Sequence, residues 1–364
     1  MRAAVLERPA GRVAGRPPIR VGRFSGVWRA RMIAVTLAGV ALVVLAAAAN
    51  IGLGDFPISL PDVLRVLLGG GDPAERFVVL ELRLPRTLTG VLVGAALGVS
   101  GAITQAIARN PLASPDILGV TAGASTAAVA VIVLGSGTLS AVAGSFAHIG
   151  VPLAALAGGI LSAAIVYALA WRRGIEGYRL VLVGVGVGAV AMSITSWLIV
   201  IAEIYEAARA TVWLTGSLNG RGWEHVVPVA SALVVLVPIA LLLGFALGAL
   251  QFGDDTARGL GLRVNLARGG LVLVAVALAA VATASAGPIA FVALVVPQIC
   301  LRLVGSARPP LLASAVYGAL LLVGSDLIAR TCLGVELPVG IVTAVVGAPY
   351  LLYLLVRRNR EVTA

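Results

Sequence analysis

Apolar residues recur along the chain in ten blocks separated by short polar breaks: Met32–Leu53, then about 84–107, 115–135, 150–171, 179–202, 225–248, 268–287, 289–304, 311–329 and 338–356. A helix rising about 1.5 Å per residue needs roughly 20 residues to cross a hydrocarbon core of about 30 Å, and most of the blocks have that length. The pattern predicts an all-α polytopic membrane protein with about ten transmembrane helices. One block carries more information than the rest. Arg86 and Arg109 bracket 22 residues without a charge, and Gly90, Gly94 and Gly98 recur within it at every fourth position. Small residues at that spacing share one face and let a second helix approach backbone to backbone. Asn110-Pro111 ends this helix, because proline removes a donor and restricts its predecessor. Pro115, Gly119 and Gly123 open the next block. The hardest boundary is Gly287-Pro288, where one long apolar run must turn back almost without a loop.

Composition narrows the function. Hydrophobic residues make up 60% of the chain and charged residues 12%, which excludes an ordinary soluble globule. All 27 basic residues are arginine. A phosphate-binding P-loop requires lysine, so any ATP hydrolysis has to come from another chain. The spans hold no paired carboxylates, no HExxH and no Ser/His set, which argues against an enzyme. A net charge of +11 in a soluble protein would suggest nucleic acid. Here the arginines flank spans, and no nucleic-acid partner is expected. With the N-terminus inside, ten spans put 20 arginines on the cytoplasmic side and seven outside. That bias has the sign the positive-inside rule demands, so both termini are expected in the cytoplasm and the first span is read as uncleaved.

Residues 1–31, with eight arginines and several Pro and Gly, read as a disordered cytoplasmic tail near anionic lipid. Residues 32–358 form the membrane domain, and 359–364 a short cytoplasmic end. Two outer loops are longer than turns: 54–82, which is acid-rich, and 203–224, where Trp213 and Trp223 read as interfacial anchors. On the other side, Asp254 is placed to cap a short helix starting at Asp255 and ending by Gly259 or Gly261. So short a helix is stable only when packed against something. Cys300 and Cys332 lie far apart, and His148 and His225 stand alone in outer loops. No disulfide, metal or other cofactor is expected.

Several stretches together resemble one family. RLPRTLTGVLVGAALGVSGAITQAIARNPLASPDILGVTAGAS at 83–125 is the longest, with WLTGSLNGRGW at 213–223 and FGDDTARGLGLRV at 252–264. GPIAFVALVVPQICLRLVG at 287–305 and the run 318–355 complete the set. These are similar to the FecCD-type permease subunits of ABC importers for ferric siderophores, haem and vitamin B12, over about residues 31–358. The chain departs from the usual pattern at Ala293, Gln298 and Leu301. Its PQI form looks like the siderophore branch, which often pairs with a second, different permease.

The resemblance implies a type II importer permease fold in the cytoplasmic membrane of a bacterium. Its partners would be a second permease (a heterodimer favoured over a homodimer), two ATP-binding subunits, an extracytoplasmic substrate-binding protein and membrane lipid. It further implies that Arg83, Arg86 and Arg330 meet the binding protein. Asn110 and Leu112, with Gly177 and Tyr178, would form cytoplasmic constrictions. Residues 253–261, including Gly253, Asp254, Asp255, Ala257, Leu260 and Gly261, would couple to the ATPase. Gln105, Ser193, Thr195 and Ser196 are candidates for the pathway wall, although polar residues also join helices. Arg83 and Arg86 serve equally well as interfacial anchors, and Arg330 can pair with Asp326 four residues earlier. Two other functions stay open at this point: a B12 or haem importer, and a secondary transporter. The latter needs intramembrane acids, and Asp326, near the outer end of its span, is the one clear candidate.

Overall fold

A computed structural model describes residues 18–21, 24–27, 29–54, 56–135, 147–171, 177–332 and 336–363. Apolar helices dominate it. α1 (Ala30–Gly52) is followed by two short helices, α2 (Leu60–Leu67) and α3 (Pro73–Phe77), in the loop expected outside. A wide i→i+5 turn at Val78–Arg83 leads into α4 (Leu84–Ala108). Then come α5 (Val120–Leu134), α6 (Ala147–Ala170), α7 (Gly177–Ile201), α8 (Ile204–Leu214) and α9 (Trp223–Leu242). Two short helices, α10 (Gly244–Leu250) and α11 (Asp254–Gly259), precede α12 (Val264–Ala286). α13 (Val292–Val304), α14 (Leu311–Thr331) and α15 (Val339–Thr363) complete the order. Seven helices are long and apolar enough to cross a membrane, and three shorter apolar ones bring the described set to the expected ten.

α4 is the hub of the bundle. The glycine face predicted from the sequence is where α14 packs. A Cβ at Gly94 would strike the Gly318 carbonyl, and one at Gly98 the Ser314 carbonyl. Such close approach is how helices associate where lipid offers no hydrophobic drive. On another face, Ser100 Oγ donates to the Ala275 carbonyl of α12 at 2.6 Å. Ile103, Leu271, Leu278 and Leu322 fill the core between these helices.

Four boundaries differ from the sequence reading. The block 225–248 is two helices, α9 and α10, broken at Leu243. α5 begins five residues later than expected, after a 3₁₀ turn at Pro115–Leu118 and a left-handed Gly119 (φ 72°). α13 begins at Val292, because 287–291 is irregular, with positive φ at Gly287 and Phe291. In the tail, Pro18–Val21 pairs antiparallel with Phe24–Val27, with Ile19 opposite Gly26 and Val21 opposite Phe24. This corrects the structureless reading for those residues: Ile19, Val21, Phe24 and Val27 are strand formers. Residues 1–17 lie outside the described set.

Candidate functional site

Three clusters sit where the sequence put its functional residues. The first is at the RLPR end of the bundle. Arg86 holds Asp326 through both sides of its guanidinium, with Nη2 donating to Oδ1 at 2.8 Å and Nε to Oδ2 at 3.2 Å. Its Nη1 reaches Glu336 at 3.3 Å. Asn50 donates to Asp326 Oδ2 at 3.1 Å, and Arg330 lies 3.8 Å from the same oxygen. Arg330 also donates to the Asn50 carbonyl at 2.6 Å and to its side-chain oxygen. Arg83 donates to the carbonyls of Ile51 and Phe56, both at 2.7 Å. The expected intrahelical Arg330–Asp326 pair exists, but Arg86 makes the tighter bond. The side chains of all three arginines are nearly buried, and their donors face this network. A guanidinium at this depth needs acceptors, and the free carbonyls ending α1 and the α14 carboxylate supply them. The cluster therefore ties α1, α4 and α14 together.

The second cluster lies at the opposite end. Arg109, left-handed at φ 49°, closes α4 and donates to the Leu250 carbonyl at 2.7 Å and to Asp254 Oδ1 at 2.9 Å. Arg268 of α12 donates to the same Asp254 oxygen at 2.7 Å. Asp254 is therefore not the cap expected of it. Gly253 (φ 101°) precedes α11, and the Asp254 side chain turns back onto the bundle. Burial opposes its ionisation, but the bonds and charges of Arg268 and Arg109 outweigh that and hold its carboxyl below the ordinary range. Ala257 is fully buried against the bundle. Phe252, Asp255, Arg258 and Leu260 face outward, and Asp255 pairs with Arg258 at 2.9 Å. Gly261 (φ 82°) has open space around it. Six residues of helix are thus anchored on one side and presented on the other.

The third site was not legible in the sequence. Two segments that depart from α-helix enter the bundle from opposite ends. The turn at 115–118 sits against α6 and α7: a Cβ at Gly119 would meet Ser162 Oγ, and one at Gly184 the Ile117 carbonyl. Measured from the ends of those helices at Ala170 and Gly177, that is about 10 Å into the bundle at helical rise. The segment 287–291 descends from the other end beside α15. Gly340 packs on Gly216, which touches Pro288, and Gly347 packs on Phe291. Gly340 to Gly347 is again about 10 Å of helix. Irregular backbone at such depth persists only inside protein or along a cavity. Both segments border one cavity of about 400 Å³, lined also by Asp116, Thr121, Thr215 and Ile341. Asp116 accepts from Thr121 and, at 3.2 Å, from Ser114. It is a second acid within the apolar blocks besides Asp326, and the sequence reading overlooked it as a helix start.

The remaining candidates divide. Asn110 accepts from the Leu112 amide at 3.0 Å, so RNPLA is a self-bonded turn between α4 and the 115–118 segment. Gly177 begins α7, and Tyr178 is 79% exposed. Gln105 joins two helices. It donates to the Leu294 carbonyl at 2.8 Å and accepts from Gln298 at 2.7 Å, bolting α4 to the first turns of α13. Thr195 likewise bonds Thr126 at 2.9 Å and joins α7 to α5. A buried hydroxyl or amide satisfies itself on a neighbouring helix. Ser193 and Ser196 lie on the exposed face of α7. Trp213, expected as an anchor, lines a larger cavity at the RLPR end, of about 950 Å³. His225 lines the same cavity from the first turn of α9 rather than standing in a loop.

Comparison with known proteins agrees with this arrangement. The FecCD transport family matches residues 32–357. The ferric enterobactin transport system permease protein FepG of Escherichia coli (strain K12) is 40% identical over 332 residues, 91% of this chain and 98% of its own. The achromobactin transport system permease protein CbrC of Dickeya dadantii (strain 3937) is 41% identical, over 93% and 96% of the two chains. A solved metal-chelate type ABC transporter in an inward-facing conformation superposes with TM-score 0.79. It is 28% identical and covers 90% of this chain and 99% of its own.

Proposed function

This chain belongs to the FecCD transport family, and from that membership we propose that it carries a ferric siderophore across the cytoplasmic membrane as the permease subunit of an ABC importer. It is a transport subunit and no enzyme; ATP is hydrolysed by a partner. The observation that carries the reading is the pair of opposed breaks in α-helix, the 3₁₀ turn and left-handed glycine at 115–119 and the irregular 287–291, with one cavity between them. A chain that only anchored or scaffolded would not need unwound backbone at that depth.

The finer assignments extend this reading. The RLPR end faces outward and both termini face the cytoplasm, in line with the arginine bias. α11 is the contact for the ATPase, supported by its outward Phe252, Asp255, Arg258 and Leu260. Its movement passes through Asp254 to Arg109, and from there into Asn110 and Leu112, the gate. A second permease, of different sequence, covers the exposed face of α7. Gly186 and Gly188 have nothing within 4 Å there, and small residues suit such an interface. The binding protein meets the outer rim around Arg83, Arg86 and Arg330, which reach it only if their internal network loosens.

Reconstitution tests the function. Proteoliposomes holding this chain, its partner permease, the ATPase and the binding protein should take up ferric siderophore with ATP, and the chain alone should hydrolyse none. Equal uptake of B12 or haem, with none of ferric siderophore, would reassign the substrate. Uptake by the chain alone, driven by a proton gradient, would replace the importer with a secondary transporter.

A further inference from the structure

The larger cavity at the RLPR end has a charge pattern that the importer reading leaves unused. It encloses about 950 Å³, within the usual range for small-molecule sites. Six titratable groups line it: Arg86, Arg209, Arg221, Glu224, His225 and Glu336. Both carboxylates are engaged. Glu336 lies 3.3 Å from Arg86, and Glu224 lies 3.1 Å from His225 Nδ1. Arg86 is spent on Asp326. Arg221 gives Nε to the Ser217 carbonyl at 3.2 Å and Nη1 to His225 Nε2 at 3.0 Å. Its Nη2 has no partner among the described residues. Arg209, on the exposed side of α8, has no hydrogen bond or ion pair among them. The lining holds three arginines against two carboxylates, a net positive charge with His225 neutral.

We propose that this cavity receives an anionic ferric chelate, one whose iron is held by catecholate or carboxylate oxygens, and that Arg209 and Arg221 bind its charge. The proposal rests on the importer reading and deepens it by naming the substrate class. Catecholate and carboxylate chelates of iron(III) keep net negative charge on their oxygens, whereas a ferric trihydroxamate centre is neutral. Guanidinium groups match such oxygens with directed donors. Trp213 gives the cavity an aromatic wall on which a catechol ring can lie. The way onward is in place: Trp213 borders this cavity, while Leu214 and Thr215 border the inner one. In the same manner Pro338 borders this cavity and Gly340 the inner one. A chelate set down at the arginines therefore lies next to the unwound segments.

The test uses the assembled complex of both permeases and the ATPase, without the binding protein, so that only permease residues contribute. Tryptophan quenching reports equilibrium binding of two probes of similar size, a ferric tricatecholate and a ferric trihydroxamate. The tricatecholate should bind more tightly, and the difference should shrink with salt. Arg209→Gln should weaken tricatecholate binding about tenfold, the loss of one charge-assisted contact. Arg209→Lys should restore most of it, and the trihydroxamate should shift less than twofold. Arg209 is exposed, so its replacement leaves the fold intact. Uptake by the complete importer should show the loss in KM rather than kcat. Equal binding of the two probes, or tricatecholate affinity untouched by Arg209→Gln, would overturn the proposal while leaving the importer standing. ATP-driven uptake of neither probe would remove the importer reading itself.

Discussion

The two ends of the bundle use the same chemistry under opposite conditions. At each, several arginines converge on one aspartate: Arg86 and Arg330 on Asp326, Arg109 and Arg268 on Asp254. Asp326 has a side chain only 1% exposed, whereas that of Asp254 is 32% exposed and that of Arg109 46%. In the first cluster Arg330 and Asn50 also answer backbone carbonyls and Arg86 reaches a second carboxylate, so nothing can leave without stranding a partner. In the second, water can replace Arg109 as it withdraws, while Arg268, with a side chain only 10% exposed, stays in place. The first is a lock and the second a latch. A transporter driven from one side needs both: a fixed end to move against, and a contact that opens at low cost where the motor pulls.

The largest effect is expected from breaking the lock. Removing one member of a buried ionic network costs about 3–5 kcal/mol, because the others keep their charge without compensation. Asp326→Ala, or Arg86→Glu, which sets a second carboxylate beside Asp326, should therefore abolish folded protein. Size-exclusion profiles in detergent and thermal unfolding measure this directly. If Arg86→Glu folds and fails only to bind the binding protein, then Arg86 is a docking residue and the lock reading is wrong.

Breaking the latch should spare the fold and separate two activities. A half-exposed ion pair contributes about 1 kcal/mol or less, so Arg109→Ala should unfold within a few degrees of the parent. Coupling energies of about 1–3 kcal/mol correspond to changes of about 5- to 150-fold, and ATP-driven uptake should fall within that range while hydrolysis continues. Arg109→Lys should rescue poorly, because an ammonium cannot fork between the Leu250 carbonyl and Asp254. Uptake and hydrolysis falling in proportion would show that these residues only support the helix.

The contrast between the ends was partly legible in the sequence. Apolar block length gave the helices, and the period of Gly90, Gly94 and Gly98 gave the α4–α14 seam. Arginines were foreseen at both ends, but not their burial. Arg86 and Asp326 lie 240 residues apart, and no local pattern announces such a pair. The unwound segments failed to register for a different reason. GPIAF is as apolar unwound as it would be helical, so hydropathy cannot tell one from the other. Pro288 and a left-handed Gly287 (φ 76°) were the available signals, and they were read as a turn. Gln105 and Thr195 show the converse. Polar side chains in spans invited a pathway role, and in the packing they join helix to helix.

The smallest expected effect concerns pH and applies to the latch alone. Asp254 has a carboxyl held below its ordinary value by Arg268 and Arg109, against the cost of burial. A lowered native pKa means that the unfolded or released chain binds the proton more readily. The latch's contribution is therefore complete above the ordinary carboxylate value, about 4, and is lost only as pH falls through the lowered one. From pH 8 to pH 5 the ratio of uptake to ATP hydrolysis should stay flat, to the extent that Asp254 governs it. Asp254→Glu places the carboxylate one methylene further from the two arginines and should bring the loss to higher pH. The check is the coupling ratio across that range in proteoliposomes buffered on the cytoplasmic side. A fall between pH 7 and pH 6 in the parent, unchanged in Asp254→Glu, would mean that another group carries the coupling and that the latch is held by packing around Ala257 instead.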